Sequence, residues 1–283
     1  MADFLNKTQV FPVSQKGVTL VELMVGIAIG LLVISVAVGA LMVSRNISGT
    51  VSDATGIQQQ AAYAMRVIGQ QVRQAGSLRL NLDPLNSGDD YLIPVALETI
   101  APATGAGNAF DPRINALAGD DQALAVGYRR YQEASYGTAA VTSLSRNCLG
   151  GPADSSTDQR VESLFSLNGT DLLCGGNGAN AEPIARNVAD FQVMYLRQDN
   201  SAPSDSKIQR LSAAAVGSNW PQVVGVEVCL VLFGSEPIDV PASSTYVGCD
   251  GANVDMTALA APRTRRLHLV FRNVFQLRSQ GLI

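Results

Sequence analysis

From Val18 to Val43 the chain is apolar at nearly every position, and Glu22 is the only charged residue between Lys16 and Arg45. A helix over that span would run about 39 Å, enough to cross a ~30 Å hydrocarbon layer with some tilt. The pattern then changes period. Ile57, Ala61, Met65, Ile68, Val72 and Ala75 recur every three or four positions, with Gln58, Gln59, Arg66, Gln70 and Arg73 between them. That spacing predicts an amphipathic helix whose apolar stripe packs on a sheet. Gly76 suits its C-terminal cap. Gly49 and Gly56 admit either a hinge between the two halves or a continuous helix that tolerates them.

Residues 80–122 are rich in Asn, Asp, Pro and Gly and read as loops and turns joined by short strands such as Tyr91–Ala96. Four later segments alternate with period two and read as strands. They are Ala123–Tyr131, the stretch holding Phe191, Val193 and Tyr195, the stretch holding Val224, Val226, Val228, Leu230 and Leu232, and the stretch from Leu267 to Leu277. Alternation of this kind predicts antiparallel strands with one covered face, the cover being the helix at 57–75. In the third stretch Cys229 falls on the face opposite the valines. In the last, Leu267, Leu269, Phe271, Asn273, Phe275 and Leu277 share the covered face, with His268, Arg272, Gln276 and Arg278 opposite. A helix followed by loops and then strands is an α+β architecture.

Composition narrows the chemistry. A net charge of −4 without a basic patch argues against a nucleic-acid partner. The four cysteines, Cys148, Cys174, Cys229 and Cys249, have no C-x-x-C spacing, and His268 is the single histidine, so no metal site or cofactor is expected. An even cysteine count fits two disulfides in an oxidising compartment. Three connectivities are open. Pairing of neighbours, Cys148–Cys174 and Cys229–Cys249, is favoured and would close loops worth about 3 kcal/mol each; free buried thiols are the alternative. Asp89-Asp90 and Asp120-Asp121 lack any EF-hand spacing and read as solvated turns rather than calcium ligands. His268 reads as a strand-surface histidine. With no G-x-S-x-G, phosphate loop or dinucleotide fingerprint, no enzymatic activity is expected, and a membrane-anchored periplasmic hydrolase is the alternative from another class.

The apolar span has three readings: a secretory signal peptide cleaved near Val38-Gly39-Ala40, a plain membrane anchor, or a cleaved prepilin. Its length exceeds the apolar core of a signal peptide. A carboxylate inside a spanning helix is costly and calls for a partner. Glu22 lies about one turn from the end of the span and can snorkel to the headgroups. If the chain is cut after Gly17, the new α-amine on Val18 supplies a compensating cation four residues away, or on an adjacent subunit. Gly26 and Gly30 form a small-x-x-x-small pair that permits close helix packing.

The run Gly17-Val18-Thr19-Leu20-Val21-Glu22-Leu23 resembles the class III signal of type IV pilins and type II secretion pseudopilins. Lys16 and Gly17 match the end of the leader, and Glu22 matches the carboxylate at the fifth mature position. Val18 departs from the usual Phe. The resemblance implies cleavage between Gly17 and Val18 by a prepilin peptidase, then N-methylation of Val18. It also implies a pilin-like fold, a long N-terminal helix laid on an antiparallel sheet. The divisions expected are a leader at 1–17, a membrane or pilus-core helix at 18–43, its amphipathic continuation at 44–76 and a periplasmic head at 77–283. Lys7 and Lys16 fit a cytoplasmic leader. NVADFQVMYLRQD, VVGVEVCLVLF and RRLHLVFRNVFQLRSQG resemble the PilW group of minor pilins. A GspJ-like pseudopilin is the nearest rival. The implied role is to help initiate a type IV pilus, in a priming or tip complex that supports twitching motility, adhesion or DNA uptake. The implied partners are other minor pilins, the major pilin, a tip adhesin, the prepilin peptidase and the inner-membrane assembly platform. The implied location is the inner membrane, single-pass, and then the pilus, near its tip.

Overall fold

The structure, a computed structural model, describes residues 17–78, 80–81, 96–97, 108–134, 141–200 and 206–278. Lys7, Lys16, the Asp89-Asp90 pair and most of the expected strand Tyr91–Ala96 lie outside the described residues. The chain divides into two units, Met1–Gly49 and Thr50–Ile283. Helix α1, Leu20–Gln74, is helical throughout, Gly49 and Gly56 included.

In the second unit, α1 buries the stripe that its spacing predicts. Ile57, Ala61, Ile68, Val72 and Ala75 are almost wholly inaccessible. The helix stops at Gly76, whose φ of +65° suits a residue without Cβ, and whose N–H donates to Gly127 O at 2.9 Å.

The stripe covers two antiparallel sheets that share one core. The first is a five-stranded meander: β1 (Leu117–Gly119), β2 (Ala123–Arg129), β3 (Arg160–Asn168), β4 (Asp171–Gly176) and β5 (Ala179–Ala185). Two tight reversals at Asn-Gly build it. Gly169 has φ +62°, and Asn177 and Gly178 have φ +50° and +74°, the left-handed backbone that short hairpins require. The second sheet has four strands, β6 (Val188–Asp199), β7 (Lys207–Leu211), β8 (Val223–Pro237) and β9 (Arg266–Gln276), in the order β7-β6-β8-β9. Phe191 lies opposite Leu230, Val193 opposite Val228 and Tyr195 opposite Val226, so the alternating residues meet on one buried face.

Polar ties fix the helix over both sheets. Gln71 Oε1 accepts from Ser163 Oγ at 2.9 Å, and both residues are buried. Asp53 accepts from Ser235 Oγ at 3.1 Å and from Glu236 N at 2.8 Å, near the end of β8.

Several expectations are corrected. β2 ends at Arg129, not Tyr131. Just past its end Arg130 N still donates to Gln159 O at 2.9 Å, and its buried guanidinium collects the carbonyls of Ser156, Asp158, Ala153 and Asp154. β8 is covered on both faces, not one. Cys229, Val231 and Phe233, on the face away from α1, are buried beneath the segment 238–265. A disulfide joins Cys229 to Cys249 there, with Cα atoms 5.7 Å apart, and Arg272 donates to Cys249 O at 2.8 Å. A second disulfide joins Cys148 to Cys174, Cα atoms 6.3 Å apart.

His268 is therefore not a surface histidine. It is 5% exposed, stacked on Tyr246 at 4.7 Å and near Phe233, with Nδ1 2.8 Å from Arg266 O. Burial pushes its pKa down, and Arg263 adds to that. Asn273, expected on the covered face, is exposed at the sheet margin. Asp120 caps its own turn, accepting from Gln122 N at 2.7 Å, whereas Asp121 ties it to a distant segment, accepting from Ala213 N at 2.9 Å.

Candidate assembly site

Gly17, Val18 and Thr19 precede the first helical turn and are exposed, Val18 to 73%. The peptide bond expected to be cut is thus next to a non-helical segment open to solvent. A protease needs an extended substrate backbone, which a helix would deny it.

The first turn explains how Glu22 is held. A helix N-terminus leaves N–H groups without partners. Thr19 Oγ1 accepts from Glu22 N at 3.3 Å, and Glu22 Oε2 accepts from Thr19 N at 3.0 Å and from Thr19 Oγ1 at 2.9 Å. This is a reciprocal capping box. The sequence reading assigned Glu22 to docking and missed Thr19, although the signal, Thr-x-x-Glu before an apolar run, was there. Both bonds that the carboxylate accepts use Oε2. Among the described residues Oε1 carries no hydrogen bond, so the carboxylate caps its own helix and still presents an acceptor outward. A carboxylate is also favoured at this position by the positive end of the helix dipole.

Past that turn the side chains from Leu20 to Val43 are exposed, whereas those of the later stripe are buried. Leu20–Gln74 is long and apolar enough to cross a membrane, and its apolar window is wholly unburied. Cβ atoms added at Gly26, Gly30 or Gly39 would meet nothing within 4 Å. Such a surface is stable only in lipid or against other apolar helices, and the glycines let a neighbouring backbone approach closely.

Two family models match the chain. The prokaryotic N-terminal methylation motif matches residues 13–38, the segment that holds Gly17, Val18, Thr19 and Glu22. The model described as type IV pilus-assembly protein W matches residues 153–279, from the strand meander through β9. The chain thus carries a prepilin methylation motif and, behind it, a domain like that of the PilW pilus-assembly proteins. Curated proteins yield no match. Among solved structures, a type IV-like pilin from Thermus thermophilus is similar at 13% identity and a TM-score of 0.34, over 78% of this chain and 96% of that one. At that score the likeness carries no argument, and the functional reading rests on the two matched stretches.

The methylation motif and the exposed apolar helix are consistent with membrane anchoring and with a place in a pilus among other pilus components. Sequence reasoning also missed Gly69. A Cβ there would stand 2.5 Å from a ring carbon of Phe275, so the last strand reaches the helix only because residue 69 has no side chain. An isolated glycine in a helical pattern was the available signal.

Proposed function

We propose that a prepilin peptidase cuts this minor pilin between Gly17 and Val18, that Val18 is N-methylated, and that Glu22 then docks the subunit. The observation that carries this is the geometry of Glu22, whose Oε1 takes no hydrogen bond from any described residue, at the start of an exposed apolar helix inside the methylation motif. In a low-dielectric setting the carboxylate and an N-terminal amine, its own or a neighbour's, compensate one another.

Before assembly the helix holds the subunit in the inner membrane, with residues 77–283 in the periplasm. Two disulfides support an oxidising location for the head. The subunit then joins other minor pilins in a priming complex that starts the pilus and stays near its tip, in contact with the major pilin, a tip adhesin and the inner-membrane assembly platform. Twitching motility, adhesion or DNA uptake depend on it through the pilus. The match of the head to the pilus-assembly family favours a pilus over a secretion pseudopilus. No catalytic role is proposed for His268, which is packed between Tyr246 and Phe233.

The test is mass spectrometry of the N-terminal peptide from membrane-extracted protein. A chain that begins with N-methyl-Val18 is expected. A chain that begins at Met1 would leave an ordinary anchor, and a start near Leu41 would mean a secreted protein.

A further inference from the structure

Apart from the core under α1, the head has a second and smaller apolar cluster, Cys229, Val231 and Cys249, with Ala189 and Tyr246 packed against it. The segment 238–265 closes this cluster over the far face of the four-stranded sheet. The segment is organised within itself. Thr245–Val247 pairs with Asn253–Asp255 as a hairpin, and Arg265 N donates to Met256 O at 2.9 Å. It is held to the sheet by the Cys229–Cys249 disulfide, by Arg272 Nη2 donating to Cys249 O at 2.8 Å, by Arg263 Nη1 donating to Ala189 O at 3.3 Å, and by the ring of Tyr246 stacked on His268. A cover seated on so small an apolar patch opens at lower cost than the core beneath α1.

His268 lies under that cover. Its Nδ1 is 2.8 Å from Arg266 O, so Nδ1 carries the hydrogen and Nε2 the lone pair. Nε2 is buried and has no partner among the described residues. A neutral ring tolerates this. A proton on Nε2 would create a buried donor and a buried charge with nothing to accept either. The charged groups around it give no relief. Arg263, on the cover, opposes a second cation. Arg266, on β9, spends its guanidinium on Gly234 O and Ser235 O. Asp190 of β6 and Asp250 of the cover act on Tyr246 rather than on the imidazole. Asp190 also works in the opposite sense. Burial raises its pKa and Asp250 adds to that, so the closed form gains a proton there as pH falls toward the carboxylate range.

We infer that the segment 238–265 is an acid-released cover: protonation of His268 at Nε2 parts it from Tyr246 and lifts the segment from the second face of β8, while α1 and the two sheets stay folded. The Cys229–Cys249 bond keeps the lifted segment tethered, and Val231 and Phe233, buried in the closed form, come into water. The closed form rejects the proton and the open form takes it at the ordinary value of about 6.5, so opening gains as pH falls through that value. Between pH 7 and pH 5.5 the opening constant should grow about eightfold on that basis. The inference needs only the cover and its histidine and stands apart from the pilus role.

The test reads the two disulfides of the full chain, extracted in detergent. Cys229 and Cys249 are each 3% exposed beneath the cover, whereas Cys148 and Cys174 belong to the core under α1. A dilute water-soluble phosphine reduces an exposed disulfide to two thiols and is itself oxidised to the phosphine oxide, with oxygen from water. Timed quenching, alkylation and mass spectrometry give the rate for each bond from pH 7 to pH 5.5. At low phosphine, reclosing outruns reduction and the rate follows the opening equilibrium. The ratio of the two rates cancels the reagent's own pH dependence. The expected result is a ratio of Cys229–Cys249 to Cys148–Cys174 that rises about eightfold in the parent and stays flat in His268→Phe. A change of less than twofold in the parent would overturn the inference, whether neither bond speeds up or both do together, as in global unfolding. An equal rise in His268→Phe would overturn it as well, because another group would then be titrating. The parent's profile decides this even where the variant folds poorly.

Discussion

Thr19 and Glu22 cap each other across the first turn of α1, Glu22 Oε2 accepting from both the backbone N–H and the hydroxyl of Thr19. Glu22 thus has a local task as well as the docking task proposed for it, and two substitutions separate them. Thr19→Ala removes the hydroxyl bonds and keeps the carboxylate, so the first turn should fray while piliation is reduced only in part. Glu22→Ala removes both, and should abolish assembly while the protein still inserts in the membrane. Fractionated membranes and sheared pili, probed for the subunit, measure each. Normal piliation in Glu22→Ala would remove the charge-docking idea.

Gly17 precedes the bond expected to be cut. A peptidase that reads a residue without side chain at this place should reject Gly17→Glu, and the variant should accumulate at precursor size. Gel mobility and the mass of the N-terminal peptide check this. A mature-size band would sink the assigned cleavage site.

Gly69 faces Phe275 so closely that any Cβ overlaps the ring. Gly69→Ala should raise intrinsic helix propensity and nonetheless destabilise the head by about 1–3 kcal/mol, the usual cost of overpacking a close contact. Denaturant unfolding of the detergent-extracted chain measures it. A double variant, Gly69→Ala with Phe275→Leu, should recover part of the loss, because the overlap is with the ring.

His268 makes the head acid-sensitive. Burial lowers its folded pKa, so the folded state keeps it neutral while the unfolded chain takes a proton at its ordinary value, about 6.5. The unfolded state then binds more protons, and stability should fall as pH drops below about 6.5. His268→Phe keeps a ring against Tyr246 and removes the titration. Its melting temperature should vary less than the parent's between pH 7 and pH 5. Identical slopes in the two proteins would discard His268 as the source.

Much of this protein was written in local pattern. The stripe from Ile57 to Ala75, the alternation through Phe191, Val193 and Tyr195, and the apolar span with one carboxylate each depend on residue spacing alone, because helices repeat at 3.6 and strands at two. The capping box and the Asn-Gly turns of the meander were equally local, and were legible though unread. Contacts between distant segments were not. Nothing near His268 in the chain announces that Tyr246 covers it, and nothing near Val231 announces that the segment 238–265 closes the second face of β8. Gly69 reads as a helix blemish until Phe275, about two hundred residues later, is laid against it. Periodicity tells a residue which way to face, and only the packed fold supplies what it faces.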